Sequence, residues 1–429
     1  MMRSMYSGVS GLRIHQTKMD VIGNNIANVN TVGFKSSRAT FSEIFSQTVQ
    51  GASGANQNKG GTNPIQIGLG ATLGSIDVNM TEGASQRTDN PLDLKIEGEG
   101  FFVVSDVTGN KFTRAGAFNI DSVGNLVTSG GLNLMGWGVN ATTNEIEKNK
   151  VDKLQILSAD NIFSEPEKTS KAIIAGNINM NDLQLDPTED GVPFTMTIYD
   201  SLGYSYTAAM KVQETGTDNE YNITLADITD QNGVPIGNGT TPDPAGTIKF
   251  DEATGKITGP TTFDITGLDT DNSEFSDIAV DFSSLTMFSG NTTIEARAGD
   301  TNGQGSGNKA GTISGYEINN VGKIIGQYTN GSTKLLGQIA IADFDNPAGL
   351  RKEGNNLFTA TSNSGEFDGI GIDISSNGGA INSGVLEMSN VDLSTEFTEM
   401  ITTQRGFQAN SRIITSSDEM LQELVNLKR

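Results

Sequence analysis

Cysteine is absent from all 429 residues, which excludes disulfides, thiolate metal sites and thiol nucleophiles together. Histidine occurs once, as His15, on a helix-like stretch remote in sequence from any acidic cluster, where it reads as a helix surface residue. Tryptophan is also single, Trp137, and proline is scarce at 10 residues. No run approaches the roughly eighteen apolar residues of a membrane span, so membrane insertion is not expected. The first thirty positions mix Ser, Asn, Gln and Gly without the apolar core of a cleaved secretory signal, so export would have to follow another route. Basic residues are outnumbered, 28 against 51 acidic, for a formal charge of −23. That charge repels nucleic acid and anionic lipid alike.

What is abundant is glycine, 52 residues, about 12 per cent against a usual ~7. With little proline, this points to many tight turns and hence to β-rich domains. The length allows roughly two to four domains.

The two ends share an apolar rhythm. Met5, Leu12, Met19 and Ile26 recur every seven residues, as do Leu393, Met400, Phe407, Ile414 and Leu421, with Phe397 interleaved. Such heptads lay a narrow seam along a helix, suited to another helix rather than to a globular core. The ends therefore look built for each other or for neighbouring copies. The first helix is expected from about Arg3 to Ala27, roughly 37 Å long at ~1.5 Å per residue. Gly8, Gly11 and Gly23 inside it each cost about 1 kcal/mol relative to alanine, so it depends on packing partners. Asn28 to Gly33 supplies the stop, and Ser389, Asn390 and Asp392 are candidate caps for the last helix.

Between the helices the pattern turns to short strands. The expected organisation is an N-terminal helix in 1–34, an extended connector in 35–75, the first part of a middle β domain in 76–150, an inserted β domain in 151–309, the second part of the middle domain in 310–388, and a C-terminal helix in 389–429. Asn330-Gly331 between two apolar runs suits a type I′ hairpin turn. The fold class is thus mainly β middle domains with long α-helical coiled-coil termini, in a nested, elongated multidomain subunit.

At this point the residues resemble a known family, the rod and hook axial proteins of the bacterial flagellum. Asn24-Asn25-Ile26-Ala27-Asn28-Val29-Asn30-Thr31-Val32-Gly33-Phe34-Lys35 is similar to the signature closing that family's first helix. Pro91 to Phe102 with Phe112-Thr113-Arg114-Ala115-Gly116 resembles its first core strand motif. Ser389 to Leu393, running through Glu399-Met400-Ile401 to Gln404-Arg405-Gly406-Phe407-Gln408-Ala409-Asn410, resembles its C-terminal motif. Met80-Thr81-Glu82-Gly83 departs from the phenylalanine and glutamine usual there but keeps the glycine turn. The long insertion, with Gly337-Gln338-Ile339-Ala340 and Asn346-Pro347-Ala348-Gly349-Leu350, resembles the hook branch.

The resemblance implies a homopolymer: a bendable tube of identical subunits, exported unfolded by the flagellar type III apparatus. Its implied partners are distal rod, hook cap and hook-filament junction proteins. On this reading the terminal helices form an inner layer, and residues 1 to about 30 and 392–429 are expected to be largely disordered in the free monomer and to order on polymerisation. Another axial component, a distal rod or hook-filament junction protein, is the nearest alternative; a secreted β-rich carbohydrate-active protein is a more distant one. Deleting both terminal helices would leave the activity of the latter intact.

No catalytic, cofactor or metal residues are expected. Asp269, Asp271, Glu274 and Asp277 lack the ligand spacing and central glycine of an EF-hand and read as a solvated acidic loop. Gly305-Ser306-Gly307-Asn308-Lys309-Ala310 fits a dinucleotide fingerprint by letter, but without the flanking strand and helix, and reads as a hinge. Glu165 and Glu167 are unexceptional in so acidic a chain. Trp137 is either a β-core anchor or a surface aromatic at a subunit contact.

Overall fold

The computed structural model describes residues 2–54, 60–140, 143–236, 246–266, 268 and 274–427. It forms two compact units: Met1–Ser158 with Tyr316–Ile325 and Leu335–Arg429, and Ala159–Gly315 with Gly326–Lys334. Most of the described residues outside the two long helices are strands and turns.

In the first unit, helix α1 spans Met2–Ala27. It stops where Asn28 turns back, its Nδ2 donating to the Asn24 carbonyl at 2.9 Å, and where Gly33 takes φ 68°. A Cβ on Gly33 would lie 2.6 Å from the Ala115 nitrogen, so only glycine fits. The connector expected at 35–75 is paired rather than merely extended. Ser37–Glu43 runs antiparallel to Ala71–Val78, and Ser46–Gln50 to Ile65–Gly68.

The body of this unit is built on Phe101–Asp106, which pairs with Gly109–Thr113. Its four leading residues are buried on both faces, as a continuous apolar run should be. Phe101, Phe112, Phe344 and Phe358 pack beneath, with the Phe112 and Phe344 rings 4.7 Å apart and edge to face. Trp137 resolves to the core anchor: it is 1% exposed, and its indole N–H donates to the Ile370 carbonyl. Nearby, Asp373 accepts from Lys148 and Gln338. Burial alone would raise its carboxyl, but the Lys148, Ser375 and Gln338 hydrogen bonds outweigh that and hold it at about 2. The chain then returns: Ala380–Ser383 pairs with Leu94–Glu97, and Val385–Glu387 with Ser85–Arg87. Asp392 caps the last helix, α3, Leu393–Leu427; its Oδ1 accepts from Ser394 N–H and its Oδ2 from the Thr395 hydroxyl.

The second unit holds the short helix α2, Ala159–Ile162, and two four-stranded sheets. In one, Val192–Tyr199, Ser205–Glu214, Glu220–Thr229 and Gly246–Lys249 lie in antiparallel order. In the other, Lys171–Asn177 pairs in parallel with Ile278–Thr286. Alternate residues such as Phe194, Met196 and Ile198, or Tyr221 and Ile223, enter one shared core with Ile174, Val280 and Phe282. That alternation is the two-residue period of a half-buried strand.

The glycine excess has a specific use. At Asp121, Asp200, Asp230, Asp300 and Asn319, Oδ1 accepts the N–H groups two and four residues on. The glycine three residues on then takes a positive φ. This is the three-residue hairpin loop, with an Asx side chain satisfying the turn and glycine in the left-handed position. Asn330-Gly331 closes a loop of the same length, but Tyr328 holds its first position and Asn330, in the middle, accepts from Ser332 N–H. Only Gly331 has positive φ, at 82°, and Tyr328 N–H donates to the Ser332 carbonyl, so the hairpin stands but its turn is not type I′.

Gly305 to Ala310 leads into the strand Gly311–Ile318, with no helix following, and its backbone pairs at Glu167 and Ser170. Asp269 and Asp271 lie outside the described residues. Among the described residues no group of acidic or histidine side chains could hold a metal, and no helix is long and apolar enough to cross a membrane.

Candidate assembly surface and its anchoring junction

Helices α1 and α3 pack against each other in opposite directions. A Cβ added at Gly8 would lie 3.3 Å from Ile414 Cγ1, one at Gly11 2.7 Å from the Asn410 amide, and one at Gly406 2.8 Å from the His15 ring. Further along, Lys18 Nζ is 3.0 Å from Glu399 Oε2, and Asn25 Nδ2 donates to Glu396 Oε1 at 2.8 Å. Gly8, Gly11, His15, Lys18, Ile22 and Asn25 alternate three and four residues apart, which makes one helix face. Thr403 and Ser417 are the buried residues of α3. The contact is therefore a seam of small and polar residues that lets two backbones approach.

His15 is accordingly not a free surface residue: it packs on Gly406, and burial, then the charge of Lys18, lowers its pKa. Burial raises the Glu396 carboxyl, with help from Glu399 and Asp392, by more than the Asn25 hydrogen bond and Lys18 lower it.

The apolar heptads sit beside this seam. Met5, Leu12, Met19 and Ile26 are half-buried, as are Met400, Phe407, Ile414 and Leu421, whereas Leu393 and Phe397 are exposed. At about 100° per residue, the exposed Leu393, Phe397 and Ile401 fall to one side of the α1-facing row of α3. Ile413, Met420, Leu424 and Leu427, exposed as well, fall to the other. On α1, Met2, Tyr6 and Val9 are exposed, and the strand pairs that follow expose Phe45, Val49, Ile65 and Ile76. Apolar surface on this scale is unusual for a soluble monomer.

The motif residues divide between anchoring and surface. Phe34 is buried with Lys352 Nζ 5.0 Å from its ring centroid. Thr31 donates its hydroxyl to Asn28 Oδ1, and Asn410 donates to the Gly406 carbonyl. Asn30, Gln404 and Arg405 are exposed. Lys35 is buried, and its Nζ lies 2.7 Å from both Glu387 Oε1 and the Thr81 carbonyl. Arg114, also buried, places Nη1 3.7 Å from Glu387 Oε2 and donates through Nη2 to the Gly98 carbonyl. Burial lowers the pKa of both cations, and Glu387 opposes that shift.

Sequence reasoning treated the helix glycines as weaknesses and missed Glu387. The three-four spacing from Gly8 to Asn25 was the available signal for the first. Nothing local marks the second, because its partners are distant in the chain.

Comparison with known proteins finds four family models in order along the chain. The flagella basal body rod protein model matches residues 5–35, and the flagellar hook protein FlgE/F/G D1 domain residues 95–164. The flagellar basal body protein FlaE D2 domain matches 167–304, and the flagellar basal body rod FlgEFG protein C-terminal model 382–427. The chain is 38% identical to flagellar hook protein FlgE of Borreliella burgdorferi and 36% identical to that of Treponema pallidum, with all of each chain covered. It is 33% identical, again over all of both chains, to flagellar basal-body rod protein FlgG of Bacillus subtilis. The chain belongs to the flagellar hook and rod protein family.

Proposed function

We propose that this chain is a structural, non-enzymatic subunit of the flagellar hook, which polymerises into a helical tube that bends while passing motor torque to the filament. The observation that carries this is the placement of apolar residues on α3 to both sides of its contact with α1. One helix partner leaves two rows uncovered, and two rows facing opposite ways call for more than one neighbour. Sister copies supply those neighbours, and the terminal helices then form a coiled-coil inner layer of the tube.

Heptad residues Met5, Leu12, Met19, Ile26, Leu393, Phe397, Met400, Phe407, Ile414 and Leu421 contribute to these contacts. In the free subunit, α1 and α3 order only when neighbours arrive. The subunit reaches its place outside the cell through the flagellar type III export apparatus. It meets distal rod, hook cap and hook-filament junction proteins at the ends of the polymer. Electron microscopy of purified protein under assembly conditions tests the proposal: long curved tubes support a hook subunit, short stacks or rings a rod or junction component.

A further inference from the structure

Glu387 is fully buried, and four separate stretches of chain meet at it. Its Oε1 accepts from Lys35 Nζ at 2.7 Å and from Gly83 N–H at 2.9 Å. Its Oε2 faces Arg114 Nη1, and its backbone carbonyl accepts from Gly33 N–H at 2.8 Å. The bonds around it tie the same stretches again. Ser36 N–H donates to Asn390 Oδ1 at 2.8 Å, and Asn390 Nδ2 donates to the Asn79 and Thr81 carbonyls. Asn79 N–H donates to the Ser36 carbonyl, and Met388 N–H to that of Ala84.

Three of these stretches are the exit from α1, the return of the paired strands and the entry to α3; the fourth carries Arg114. Two cations, Lys35 and Arg114, share this buried place with one carboxylate. Removing the carboxylate takes the buried counter-charge from both, leaving Lys35 on the Thr81 carbonyl and Arg114 on the Gly98 carbonyl in a low-dielectric site where each also repels the other.

We infer that Glu387 is a latch: its single charge fixes the exit of α1, the return of the paired strands and the entry to α3 as one cooperative unit, released together when that charge is lost. Lys35 lies near the start of the chain and Glu387 near its end. The exit of α1 therefore cannot be fixed until the last segment of the chain has docked. This inference does not depend on the assembly proposal.

Amide exchange in full-length Glu387→Gln tests it, since glutamine keeps the size and removes the charge. Loss of a charge-assisted network predicts exchange at least about ten-fold faster at Gly33, Ser36, Asn79, Gly83 and Met388 together, with the strands Phe101–Asp106 and Gly109–Thr113 unchanged. Wild-type exchange at all five, or acceleration at only some of them, overturns the latch. Should Glu387→Gln lose protection throughout the body, the double variant Lys35→Met with Glu387→Met decides, because it leaves only Arg114 charged there. Joint acceleration of the five amides over a protected body supports the latch, and wild-type protection at them or loss of the body overturns it.

Discussion

Lys35 Nζ and Glu387 Oε1 lie 2.7 Å apart although 352 positions separate the two residues. Both side chains are almost wholly excluded from water. The pair therefore joins the motif that closes the first helix to the segment that opens the last. Lys35→Ala should destabilise the body by about 1.5–3 kcal/mol, because Glu387 loses a charge-assisted hydrogen bond while Arg114 still faces its Oε2. Urea denaturation followed by tryptophan fluorescence measures this at Trp137. A loss below about 1 kcal/mol, the range of exposed pairs, would count against a buried pair.

Two glycines of α1 should respond in opposite ways. A Cβ added at Gly23 would meet nothing within 4 Å, so Gly23→Ala should strengthen the helix by about 0.5–1 kcal/mol. One added at Gly11 would lie 2.7 Å from the Asn410 side chain, so Gly11→Leu should force α1 and α3 apart at a cost of about 1–3 kcal/mol. Circular dichroism of the assembled protein on heating distinguishes the two. Equal effects would remove the close approach at Gly11 from the account.

Mild acid should tighten the helix contact through Glu396. Its folded-state pKa is raised above the ordinary 4.5. Its contribution is thus fully present below that unfolded value and lost as pH rises through the folded one. Helix content should increase on going from neutral pH toward about 4.5 in the wild type. Glu396→Gln should show less of that increase. A wild type and variant with identical pH profiles would rule Glu396 out as the cause.

Phe407 stands half-buried beside the α1 contact. Phe407→Asp places a charge against apolar neighbours, and should abolish polymerisation while the strands of both units keep their exchange protection. Sedimentation of the variant checks this, and normal polymer from it would remove Phe407 from the assembly surface.

Much of the fold was legible where a local rule governs. Phe101 to Val104 announced a doubly buried strand, Phe194 to Ile198 a half-buried one, and Asn28 to Gly33 a helix stop, since period and turn chemistry act over a few residues. The position of the helix contact was less legible. The conspicuous rows through Met5 and Leu393 drew attention, but close packing of two helices selects small residues, and glycine carries no hydropathy signal. The pairing of 37–78 escaped because its apolar residues are exposed and so lack the burial pattern of a core strand. Glu387 was illegible for a different reason: a buried charge is recognised by its partners, and the fold alone brings Lys35 and Arg114 to it.

Electron cryomicroscopy of polymer grown from the full-length chain bears most directly on the central claim. The account predicts a hollow tube in which Leu393, Phe397, Met420 and Leu424 of each α3 are covered by the helices of at least two other subunits. A protein that stays monomeric under every assembly condition, with α1 and α3 closed on each other and those side chains facing water, would contradict it.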